Sequence, residues 1–137
     1  MSSLHQVAPA YVCQLWPKVK EMLANALEHS GGEYTVDQLQ FMLVRGEQTL
    51  LVIVDENENV IGAISVAFQH HPAQRIAFVT AVGGRFITSP ELWDQFEHWC
   101  RENGATHIRG AAYAEVARLW RQKFGVEQRY IIVEKAL

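Results

Sequence analysis

Apolar residues recur at helical spacing from Tyr11 to Leu27, at Val12, Leu15, Trp16, Val19, Met22, Leu23, Ala26 and Leu27. That period predicts an amphipathic helix with one buried face. Pro17 lies inside the stretch and either kinks the helix or stands in its first turn, because proline has no amide proton to donate. Ser30-Gly31-Gly32 ends it. A second helix is predicted from Thr35, where Thr35 and Gln38 have the spacing of a reciprocal capping box. Leu39, Met42 and Leu43 supply its buried side, and Gly46 stops it.

The pattern then changes from helical to extended. Gln48 to Asp55 is a short β-branched and apolar run, Glu56 to Asn59 a polar turn, and Val60 to Phe68 a second run. The chain turns again at His70-His-Pro-Ala73, and Arg75 to Val82 makes a third strand. Connections this short predict adjacent antiparallel strands. Gly83 and Gly84 are expected to interrupt the third strand. Ser89-Pro90-Glu91 then marks a helix start, with a capping oxygen, a first-turn proline and an acid at the positive end of the dipole. This helix runs to Asn103-Gly104, where glycine can adopt the left-handed cap. Thr106 to Ala112 reads as a strand, Ala114 to Phe124 as a helix closed by Gly125, and Tyr130 to Val133 as a final strand. Residues 1–10 read as a loose lead-in with room for one short edge strand. The fold class is therefore α/β: a mixed sheet built from an antiparallel meander and a strand–helix–strand unit, with helices on both faces. The last two strands of that unit should be parallel.

Composition narrows the functional classes. With 137 residues, 49% hydrophobic and 20% charged, the chain is sized and balanced for one globular domain spanning 1–137. A net charge of -3 argues against a general nucleic-acid binder, which needs surplus Lys and Arg. No run approaches the roughly 18 to 20 apolar residues of a membrane span. Cys13 and Cys100 form no Cys-x-x-Cys pair, which favours a reduced compartment, and no secretory signal is visible, so the expected location is the cytoplasm. Cys100 falls in the apolar stripe of Leu92, Trp93, Phe96 and Trp99 and is expected to be buried.

The order of elements from about Pro17 to Leu137 resembles the GNAT N-acetyltransferase superfamily. The segment Ala117-Arg-Leu-Trp-Arg-Gln-Lys-Phe-Gly-Val126 resembles the family's Leu-Gly-Phe region. The Gly-Gly after the third meander strand and the Trp-rich helix beyond it are also similar to small GNAT-like proteins carried by phages. The resemblance implies acetyl-CoA as acyl donor and a small-molecule or protein amine as acceptor. Its cofactor contacts would fall on Ala81, Val82, Gly83, Gly84, Arg85 and Ser89. A splayed strand end would offer backbone groups to the pantetheine, and a helix N-terminus would offer amides to the pyrophosphate. Arg85 would add a charge-assisted contact.

The loop Val82-Gly-Gly-Arg-Phe-Ile-Thr-Ser-Pro90 departs from the family's pattern of Gln or Arg, two residues, Gly, one residue, Gly or Ala. It keeps glycines at another spacing, and Pro90 removes one donor amide. Two readings stay open: a phosphate cradle, or a glycine bulge that turns a strand end into a helix. The family's acid, a tyrosine four residues before the Leu-Gly-Phe glycine, is replaced by Arg121 with Trp120 beside it. Tyr113 is the nearest substitute, or else a half-buried aromatic at a helix start. Glu33, next to Tyr34 in the loop between the first two helices, is the candidate base, or else an ordinary loop residue. His70 and His71 lack a third metal ligand at recognisable spacing. Trp93, Trp99 and Trp16 read as core, Trp120 as a residue of an opening or interface, and a homo-oligomer is left open. Two functions follow: an acyl-CoA-dependent N-acetyltransferase, or a GNAT-fold binding or assembly protein without catalysis.

Overall fold

The computed structural model describes residues 2–85 and 89–137. Strand β1 (Ser3–Val7) and one 3₁₀ turn (Pro9–Tyr11) lead into α1 (Val12–Glu28) and α2 (Val36–Val44). The meander is β2 (Thr49–Val54), β3 (Val60–His70) and β4 (Arg75–Gly84), followed by α3 (Pro90–Glu102), β5 (His107–Gly110) and α4 (Ala114–Phe124). The five strands form one sheet in the order β1-β2-β3-β4-β5. All neighbouring pairs are antiparallel except β4–β5, which is parallel as the strand–helix–strand pattern requires. Among the described residues, no helix is long and apolar enough to cross a membrane.

The continuous apolar run of β2 is explained by burial on both sides. Leu50 and Val52 face the α1–α2 layer, while Leu51 and Ile53 face α3. Alternate residues of a strand point to opposite faces, so a two-sided core needs an unbroken apolar strand. On the first face Val12, Trp16, Val19 and Leu23 of α1 join Leu39 and Leu43 of α2. On the second, Leu92, Trp93, Phe96 and Cys100 of α3 cover Ile64, Val66, Ala77 and Val79. Burying each Leu or Phe side chain contributes about 1.5–3 kcal/mol. Pro17 lies within α1, on its exposed side. The predicted capping box of α2 is present: the Gln38 amide donates to Thr35 Oγ1 at 3.2 Å, and the Thr35 amide donates to Gln38 Oε1 at 2.9 Å.

The short edge strand for which the lead-in had room is present, with Ser3 to Val7 in register against Val54 to Leu50. Two expectations are corrected. The glycines do not interrupt β4; Gly83 pairs with Ala63 and Gly84 with Gly62, so the strand ends after them. Tyr130–Val133 is not a strand: these residues are exposed and outside regular structure, because among the described residues no strand pairs with them and no apolar layer covers them.

Candidate functional site

The feature that distinguishes β4 is a bulge. Ser65 pairs with Ala81 and Val66 with Val79, leaving Thr80 as the extra residue on β4. A bulge of this kind bends the strand and ends regular pairing on its other side. The ladder to β5 does stop there, at Val79↔Gly110, while β4 continues through Gly84. The sheet thus forks: β5 leaves toward α4, and the stretch Thr80–Gly84 keeps an edge that pairs with no strand on the β5 side among the described residues. Such an edge offers free backbone donors and acceptors to an extended ligand, as an added strand would use them.

Buried polar groups hold the bulge. Thr80 Oγ1 lies 2.6 Å from Gln48 Oε1 and 2.6 Å from Ser65 Oγ. A threonine hydroxyl has one proton, and Gln48 Oε1 can only accept, so Thr80 donates to Gln48 and accepts from Ser65. Ser65 is fully buried and Gln48 nearly so. Sequence reasoning missed all three residues. The available signal was a hydroxyl residue in the middle of each of two otherwise apolar strands.

The predicted cofactor residues divide into two groups. Ala81, Val82, Gly83 and Gly84 stand together on the forked end of β4. The glycines, however, serve the protein's own packing. A Cβ on Gly83 would lie 2.5 Å from the Met22 carbonyl oxygen of α1. Gly84 has φ +78°, and a Cβ there would strike the Ile61 carbonyl and Gly62 Cα of β3. The close approach that the glycines permit is therefore that of α1 and β3. The Arg85 amide donates to the Ile61 carbonyl at 3.1 Å. Its guanidinium lies within electrostatic reach of Asp55, whose carboxyl is held below its ordinary value chiefly by the Asn59 backbone amide, with Arg85 adding to the effect.

Ser89 is the N-cap of α3, as predicted. Its Oγ accepts from the Leu92 amide at 3.3 Å and lies 3.1 Å from Glu91 Oε2. The Trp93 amide is bound to the Ser89 carbonyl. Pro90 has no amide proton, so the Glu91 amide is the one first-turn donor without a partner among the described residues, and the Glu91 carboxylate stands beside it. This start is less welcoming to a diphosphate than a bare helix end. The remaining loop positions, Phe86, Ile87 and Thr88, lie outside the described residues.

Tyr113 is the N-cap of α4, three positions past the end of β5; its carbonyl accepts from the Ala117 amide at 3.0 Å, and its side chain is exposed with no hydrogen bond among the described residues. It stands beyond the fork, at the start of α4. Glu33 is exposed in the α1–α2 loop, and no contact among the described residues joins it to Tyr113. Trp120 packs from α4 toward the fork, against Trp93 at 6.3 Å and close to Gly110, and its buried indole N–H has no partner among the described residues. Trp93 and Trp99 pack on the sheet as expected, the latter against Phe68 at 5.6 Å. A separate shallow groove of about 430 Å³ runs between β1 and α3, past Leu4, Asp94, His98 and Trp99, and holds none of the predicted residues.

No protein-family model and no curated protein sequence matches the chain. Solved structures do match, over nearly the full length. A ribosomal-protein-alanine N-acetyltransferase from Brucella melitensis biovar Abortus 2308 superimposes with a TM-score of 0.69 at 12% identity, covering 99% of each chain. An aminoglycoside acetyltransferase, meta-AAC0020, from an uncultured soil metagenomic sample and solved with sisomicin, gives 0.71 at 12% identity, covering 99% of this chain and 96% of that one. The aminoglycoside 6'-N-acetyltransferase AAC(6')-Ih from Acinetobacter baumannii gives 0.62 at 9% identity, covering 100% and 99%. The chain therefore has the GNAT acetyltransferase fold, as its element order implied.

Proposed function

We propose that the protein is an acyl-CoA-dependent N-acetyltransferase that acts on an amine. The observation that carries this reading is the fork: a bulge at Thr80 ends the β4–β5 ladder and leaves Thr80–Gly84 as an open edge leading toward the capped start of α3. Acetyl-CoA would lie along Ala81–Gly84, with its pantetheine bonded to the open backbone edge. The Glu91 amide and Arg85 would meet its phosphates. The fork supports the donor site, and the likeness to acetyltransferases supports the reaction class.

The bound thioester supplies the acetyl group; the chain's own residues position it and move protons. The rigid Gln48–Thr80–Ser65 chain fixes the bulge, and so the angle at which the edge opens. Tyr113, exposed just past the fork, would protonate the departing sulfur. Glu33, in the loop between α1 and α2, would take the proton of the incoming amine, directly or through water.

Thiol release from acetyl-CoA in the presence of a panel of amines, including peptide N-termini, polyamines and aminoglycosides, tests the reading. Amine-dependent release is the expected result. Tyr113→Phe should lower kcat by about a hundredfold or more with little change in KM, the size typical of a lost proton donor. Absence of release with every amine would favour the second reading, a GNAT-fold binding or assembly protein. That reading draws on the proline and carboxylate at the start of α3 and on the arginine at position 121.

A further inference from the structure

β1 ends the sheet on the side away from the fork: it pairs with β2 and, among the described residues, with no strand on its outer side. Residues of an antiparallel pair alternate between bonding their partner and facing outward. The Leu4 amide faces outward, since it donates to Gln95 Oε1 of α3 at 2.9 Å. Gln6, two positions on, therefore turns its own amide and carbonyl outward as well. Gln95 Nε2 in turn donates to the Ser2 carbonyl at 3.3 Å. One side-chain amide thus gives and accepts a hydrogen bond along this edge, as a residue of an added strand does. It covers only the start of β1, and the Leu4 carbonyl and Gln6 stay open.

The groove of about 430 Å³ runs beside that open stretch. Its floor is apolar, made by Leu4, Leu51 and the ring of Trp99, whose indole N–H donates to Gln6 Oε1 at 3.0 Å. Its α3 wall is acidic. Asp94 and Glu102 line it, and the one basic side chain of the lining, His98, stands 2.8 Å from Glu102. Asp94 is exposed and has no ion-pair partner among the described residues. The two acids are eight positions apart on α3, about 12 Å along its axis. In an extended chain, side chains four positions apart share a face and lie about 13 Å from each other.

We propose that this groove takes an extended peptide with a basic residue at each end of a five-residue stretch and an apolar one in the middle. Its backbone prolongs the sheet along the Leu4 carbonyl and Gln6. The apolar side chain settles between Leu4 and Trp99, and the two basic ones meet Asp94 and Glu102. Charge decides the occupant: the β1 strand of a second copy, Ser3-Leu-His-Gln-Val7, has the extended form but neither Lys nor Arg. This inference does not depend on the reaction proposed above.

The probe is the capped peptide acetyl-Arg-Thr-Leu-Thr-Arg-amide, in which arginine offers no amine to an acyl transfer. Titrated into isotope-labelled protein, it should shift the amides of 4–7 and 94–102 and the Trp99 indole in a saturable manner. Asp94→Lys combined with Glu102→Lys changes two exposed side chains and should weaken binding about tenfold or more, with an unchanged far-UV circular dichroism spectrum. The same peptide with glutamate for arginine should not bind. An absence of saturable shifts at millimolar peptide would overturn the proposal, as would equal affinity for the double variant or for the glutamate peptide. Shifts centred on Thr80–Gly84 would move the peptide to the fork, and equal shifts from argininamide alone would leave a charge contact without strand addition; either overturns it. So would β1 shifts that grow with protein concentration in the absence of peptide, which would give this edge to a second copy.

Discussion

α3 and α4 are built from similar sequence, each an apolar stripe that includes tryptophan between charged flanks, but they are used differently. α3 lies over the middle of the sheet and buries Leu92, Trp93, Phe96 and Cys100. α4 lies over the four-residue strand β5 at the edge and buries none. Its Trp120 and Phe124 reach back to Trp93, with Phe124 stacked on that ring at 4.5 Å, so α4 is anchored by α3 more than by the sheet. Helical periodicity marks a face that needs cover; the amount of sheet beneath the helix decides how much cover it receives. The well-covered region carries the stability of the molecule, and the under-covered region lies beside the fork at which the proposed ligand would act.

Substitutions should separate the two regions by size of effect. Phe96→Ala removes a fully buried ring and should cost about 3–5 kcal/mol in denaturant unfolding. A loss below about 1.5 kcal/mol, the level of an ordinary substitution, would mean that α3 is not the centre of the core. Gly84→Ala comes next, at about 2–3 kcal/mol, because it combines a strained positive φ with a clash against β3. If Gly84→Ala folds with unchanged stability, the glycines are not packing residues and the cradle reading regains ground. Leu119→Ala on α4 should cost about 1 kcal/mol, well below the Phe96 change, since that side chain is only half-buried. An equal cost would erase the contrast between the helices.

The smallest effect concerns Cys100. Burial, with the nearby Glu97 carboxylate adding to it and Arg101 opposing, pushes its thiol up from 9.0 to about 12. The folded thiol thus holds its proton where the unfolded one releases it. The resulting stability contribution is complete below about pH 9 and declines as pH rises toward about 12. In the native protein at pH 8, a thiol reagent should modify exposed Cys13 and spare Cys100 until denaturant is added. Equal reactivity of both would contradict the tight packing of α3.

Much of the fold was legible because its signals are local. The capping box at Thr35, the N-cap at Ser89 and the hairpin turns depend on neighbours in sequence, and each stands where the spacing put it. The double-sided burial of β2 could be read from an apolar run without alternation. What escaped depends on contacts far apart in the chain. The glycine pair looked like a strand terminator, but Gly83 is required by Met22 of α1, some sixty positions earlier, and Gly84 by Ile61 and Gly62 of β3. The bulge at Thr80 is invisible without the register of β3. Tyr130–Val133 has a strand's composition, but composition does not supply the neighbouring strand that would pair with it, and the segment stands outside regular structure.

The central claim is that the open edge of β4 receives acetyl-CoA. Titrating acetyl-CoA into isotope-labelled protein and following the backbone amides by NMR tests it most directly. The account predicts saturable shifts concentrated in Thr80–Arg85 and at Glu91, with smaller changes near Tyr113, and little change along β1 and α2. Unmoved amides at millimolar acetyl-CoA, or saturable shifts confined to the groove between β1 and α3, would contradict it.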